Sequence, residues 1–176
     1  MKRVLFTITV ALALHVTSLA AQSSELFLVY RDSIRLYMSK HDLNASLRCA
    51  DKLIGFYPSN VNGYLLKAEV LDQAKRYNDE LVVLRILRNL QPTLPETYIR
   101  LAVAHYKLVQ IDSSIVDLTQ AITGNRYFDS TAFRLRGFAY HDTHRYQESM
   151  RDLDSAARYK PNDREFYLIR ARVKRH

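Results

Sequence analysis

Apolar and polar positions alternate along this chain on a helical beat that repeats. Aromatic residues stand at Tyr30, Tyr64, Tyr98, Phe133 and Tyr167, in steps of 34, 34, 35 and 34 residues. Four residues after each comes Ile34, Ala68, Ala102, Gly137 or Ala171, small in four of the five cases. Positions four apart share one face of an α-helix, and a small residue there lets a neighbouring helix come close. A second stripe follows in every period: Ser46, Ala50 and Leu53; Glu80, Leu84 and Leu87; Ser114, Leu118 and Ala121; Ser149, Leu153 and Ala156. Its spacing of four and then three marks an amphipathic helix. Proline, which cannot continue a helix, follows three of these at Pro58, Pro92 and Pro161; Gly124 and Asn125 stop the other.

The pattern predicts four helix pairs, in copies at 27–60, 61–94, 95–129 and 130–163, followed by a capping helix in 164–176. First helices are expected at 26–39, 61–74, 95–108 and 130–142, and second helices at 43–55, 77–90, 112–123 and 145–159. One copy alone cannot bury its apolar stripes, whereas stacked copies cover one another. Composition agrees. Glycine and proline number four each in 176 residues, too few for the turns of a many-stranded sheet, and nearly half the residues are apolar.

The first 21 residues are set apart. Lys2 and Arg3 precede an apolar run from Val4 to Val16, and small residues follow at Ser18, Ala20 and Ala21. Charge, apolar run and small-residue cleavage site form the layout of a secretory signal. Cleavage fits after Ala20 or after Ala21, and the second cut leaves a domain over 22–176. The protein is therefore expected in a periplasm or outside the cell. A retained membrane anchor is the alternative, although the run is shorter than the ~20 residues of a spanning helix.

In these positions the chain resembles the tetratricopeptide repeat family, whose copies carry an aromatic, Leu-Gly, Tyr, a small residue, Ala and Pro within 34 residues. The fourth copy matches most fully, with Phe133, Gly137, Tyr140, Ala156 and Pro161, while the third keeps Tyr98, Leu101, Ala102 and Ala121. Tyrosine or phenylalanine replaces tryptophan throughout, and Lys67 and Arg136 stand where leucine is usual. Glu80 replaces a small residue and Leu87 an alanine, which predicts looser packing in the second copy. The resemblance implies an all-α, right-handed helical-repeat solenoid whose stacked first helices line a concave groove for a peptide or protein.

Helix phase assigns the groove side chains. They include Arg31 and Arg35 in the first copy, Leu65 and Glu69 in the second, Ile99, Val103 and Tyr106 in the third, Arg134 and Phe138 in the fourth, and Arg172 in the cap. Leu65, Ile99, Val103, Tyr106 and Phe138 give an apolar middle. The arginines flank it and suit acidic groups.

Catalytic chemistry finds no footing. No Gly-x-Ser-x-Gly elbow or glycine-rich phosphate loop occurs, and Cys49, the only cysteine, sits beside packing residue Ala50. His141, Asp142 and His144 form a polar cluster at the turn of the fourth copy, where polar residues are ordinary; no further ligands are visible to complete a metal site. His105 is read as a packing residue. The formal charge is +8, or +6 without Lys2 and Arg3, but the basic residues are spread among acidic ones, so no nucleic-acid partner is expected. The reading is a non-enzymatic, cofactor-free exported scaffold that binds a protein or peptide in its groove. The alternative is a structural part of a cell-envelope assembly that uses the ends or the convex face of the stack.

Overall fold

The computed structural model describes residues 25–124, 130–159 and 170–171, and all the regular structure among them is helical. The expected signal segment and Arg172 lie outside the described residues, as does the capping helix except for helical Arg170 and Ala171. The helices are α1 (25–39), α2 (Leu43–Phe56), α3 (Val61–Gln73), α4 (Tyr77–Leu90), α5 (Pro95–Lys107), α6 (Ile111–Thr123), α7 (Ser130–Asp142) and α8 (Tyr146–Tyr159). Each helix of the four predicted pairs is present, with ends within one residue of expectation. No described helix is long and apolar enough to cross a membrane.

The chain divides into two compact units between Val70 and Leu71. In the first, Ile34, Ala50, Leu53 and Ala68 form a fully buried core. Asp42 caps α2, its side chain accepting from the Ala45 amide at 2.9 Å. Ser46 Oγ donates to the Ile34 carbonyl at 3.2 Å, and Tyr64 Oη donates to the Pro58 carbonyl at 2.8 Å. Lys67, in the place where leucine was expected, instead meets Asp51 at 2.6 Å.

In the second unit α5, α6 and α7 pack through Ala102, Leu118, Ala121 and Ala132, and α7 and α8 through Leu153 and Ala156. Pro95 opens α5 at its first turn, where a missing amide proton costs nothing. Gly137 permits a close approach of α7 to α8: a Cβ there would lie 3.0 Å from Leu153 Cγ, so the leucine would have to give way. The Gly137 carbonyl accepts from Ser149 Oγ at 2.7 Å. Glu80 and Leu87 are both buried, so the second copy encloses its two larger residues. Arg136 is also paired, with both Asp152 oxygens at 2.7 and 2.9 Å and with Thr119 Oγ1 at 3.0 Å. Burial opposes its charge, but the Asp152 pair outweighs this and raises its pKa.

The first helices share a way of ending. His41, Lys75, Val109 and His144 all have positive φ, between 57° and 60°. The next residue's amide reaches back five positions, as in Arg76 to the Leu71 carbonyl and Gln110 to the His105 carbonyl, both at 2.9 Å. This is the Schellman closure, which ordinarily uses glycine at the left-handed position. Here none of the four residues is glycine.

Candidate functional site

The second unit contains a pocket of about 120 Å³ between α5, α6 and α7. Helix α5 supplies Ala102, Val103, Tyr106 and Lys107, α6 supplies Ser114 and Leu118, and α7 supplies Leu135 and Phe138. Residues four apart are neighbours on a helix face, so the pairs Ala102/Tyr106 and Val103/Lys107 give α5 two adjoining rows along the space. The lining is mostly apolar. A cavity of roughly 150 Å³ lined by apolar side chains takes up benzene, so this space suits one aliphatic side chain or one ring.

Two hydrogen bonds brace the α5 wall. Tyr106 Oη donates to Asp142 at the end of α7, and Lys107 Nζ donates to Asp72 at the end of α3. Burial and then the Asp142 bond push the Tyr106 pKa up to about 12, so its hydroxyl keeps the proton. Burial would lower Lys107, but Asp72 outweighs it and raises the pKa. Lys107 also lies 5.0 Å from the Tyr77 ring centroid. Of the lining residues, Phe138 also carries a cation on its ring, the Arg134 guanidinium lying 5.4 Å from the centroid. Behind the wall, His105 Nδ1 stands 2.7 Å from Asp117 Oδ2. Burial raises the Asp117 pKa, while His105, Arg88 and Arg85 pull it down.

Of the groove residues named from sequence, the structure brings Val103, Tyr106 and Phe138 together around this pocket, with Arg134 stacked on Phe138. Ile99 is half-buried against the cluster of Ala102 and Leu118 and is absent from the lining. Arg31, Arg35, Leu65 and Glu69 belong to the first unit, where Arg31 pairs with Asp32 at 2.9 Å and Arg35 and Glu69 are exposed. Lys107 and Leu135 were not foreseen, since each sits one position beside the expected stripe. Asp117 was also missed; its alternation within an apolar stripe of α6 was the available signal.

The polar turn of the fourth copy is internally satisfied. His141 Nδ1 lies 3.2 Å from Asp142 Oδ1, and His144 Nδ1 lies 2.8 Å from Tyr146 Oη. Among the described residues no three His, Cys, Asp or Glu side chains stand together as a metal site. Cys49 is half-buried and free.

No family model and no curated protein matches the chain. Solved structures do. A MamA protein is similar at a TM-score of 0.72 and 22% identity, over 82% of this chain and 78% of that one. A thermophilic TPR protein of Thermus thermophilus is similar at a TM-score of 0.67 and 16% identity, over 86% and 80% of the two chains. The first TPR of Spaghetti (RPAP3), bound to the HSP90 peptide SRMEEVD, is similar at a TM-score of 0.62 and 18% identity, over 65% and 90%. The shared feature is the fold: this chain has the all-helical tetratricopeptide-repeat solenoid.

Proposed function

We propose that the protein is an exported interaction scaffold that holds a protein or peptide partner in a groove lined by the first helices α5 and α7 of its second unit. The observation that carries this reading is the pocket walled by Val103, Tyr106, Leu135 and Phe138. A partner would anchor one apolar side chain there, the type of buried contact that dominates interface energy. Arg134, which lies over Phe138, would orient it. The solved structure of a similar fold with a peptide bound adds support, at the level of fold. The basic start, apolar run and small residues of the first 21 positions support export.

The test is site-specific photo-crosslinking. The tagged full-length chain, expressed in its native host so that processing takes place, carries a benzophenone amino acid at Tyr106. Under this reading one protein is captured, and both Val103→Glu and Arg134→Glu abolish its capture. Capture that survives both substitutions overturns groove binding.

A second reading has its own observation. Val82, Ile86 and Leu90 form an exposed apolar stripe on α4, and Val116 is exposed on α6 at the position that Val82 holds one copy earlier. An envelope assembly component would use this outer face. In that case Ile86→Glu removes the associated protein and Val103→Glu spares it.

A further inference from the structure

The second helices carry Ser46, Glu80, Ser114 and Ser149 at one equivalent position, and all four are buried. In two copies the role of the serine is visible, since Ser46 and Ser149 donate to the carbonyl twelve residues upstream. A hydroxyl is small, neutral and a donor. An ionised carboxylate is larger, charged and can only accept. Glu80 is 3% exposed, and its Oε2 has no hydrogen-bond partner. An ionised oxygen buried in this way is unfavourable, and a proton relieves it.

The charged groups facing Glu80 come from two neighbouring helices. Asp72, at the end of α3, opposes ionisation; Lys107 and Arg100, on α5, favour it. Both cations are engaged elsewhere, however. Lys107 donates to Asp72 and lies over Tyr77, and Arg100 pairs with Glu96 at 3.0 Å. Burial, and then Asp72, hold the Glu80 carboxyl up at about 7.

We propose that Glu80 makes the packing of α4 on α5 proton-responsive: the neutral carboxyl closes this joint, and the ionised one loosens it together with the α5 wall of the pocket. Lys107 links the two, because it lines the pocket and lies in the field of Glu80. The inference goes beyond partner binding, since it concerns when the wall is firm and stands whether or not the pocket is used. The folded carboxyl holds its proton more tightly than the ordinary value of 4.5, so the stabilisation is complete below that pH and is lost as pH rises through about 7.

Hydrogen exchange on the full chain tests this, with rates corrected for the chemical effect of pH. Between pH 5.5 and 8.5, opening of α4 and α5 should become roughly thirtyfold more frequent, while α2 changes little. Glu80→Gln, neutral at every pH, should abolish the dependence and keep the joint at least as closed at pH 8.5 as the parent is at pH 5.5. Glu80→Ser, which restores the residue of the other copies, should do the same and serves if the glutamine variant folds poorly. A carbon-13 titration of the Glu80 carboxyl should have its midpoint near neutrality. An unchanged pH response in both variants, or a carboxyl titrating near 4.5, overturns the proposal.

Discussion

The Tyr64 hydroxyl donates to the Pro58 carbonyl, and one copy later Tyr98 makes the same bond to Pro92 at 2.9 Å. The aromatic that opens a copy is thereby tied to the proline that closed the last one. Proline acts twice, stopping a helix and leaving its carbonyl free to accept. This gives tyrosine a reason to stand at the position, which phenylalanine could fill by size alone. Tyr64 is buried, so Tyr64→Phe should cost about 1 kcal/mol in urea unfolding. An unchanged midpoint would mean that water replaces the bond at no cost.

Arg136 and Asp152 form a bidentate pair in which both side chains are largely enclosed. Arg136→Leu alone installs the residue usual in the resembling family but strands a buried carboxylate. A loss of about 3 kcal/mol is expected. Adding Asp152→Leu should recover most of it, because hydrophobic replacement of both partners of a buried pair is often neutral. A double-mutant cycle by chemical denaturation measures this. Simple additivity of the two losses would show that the pair is uncoupled.

Val109 is a β-branched residue at φ 60° and is 81% exposed. The left-handed backbone strains its Cβ, and no burial compensates. Val109→Gly should raise stability by about 1 kcal/mol, the relief of strain exceeding the entropy that glycine loses on folding. Thermal unfolding checks this, with an expected rise in Tm. A fall would mean that the exposed valine stabilises the turn in some other way.

The helices were legible because their information is local. An aromatic, a small residue and a proline in phase locate a helix pair wherever they recur, and all twelve residues of the second-helix stripes are buried. Val103, Tyr106 and Phe138 were legible for the same reason: the phase of one helix decides which way they face. The cross-links were not. Lys107 and Asp72 are 35 residues apart, Tyr106 and Asp142 are 36 apart, and Arg136 and Asp152 are 16 apart. Which cation meets which acid depends on how long side chains lean across two helices, and the period of either helix does not contain that. Four glycine-free left-handed turns were hidden too, since His41, Lys75, Val109 and His144 share no chemistry that marks the backbone.

Tyr106 and Lys107 are neighbours in sequence, yet one reaches forward to α7 and the other back to the end of α3. The last turn of α5 is therefore a coupling link. A pull on the end of α7 passes through the Asp142 bond into two consecutive peptide units and leaves through the Asp72 bond, without crossing the apolar interior. The two side-chain hydrogen bonds stand in series along this edge of the second unit, beside the packed interior, so losing either one uncouples the end of α7 from the end of α3 along this path.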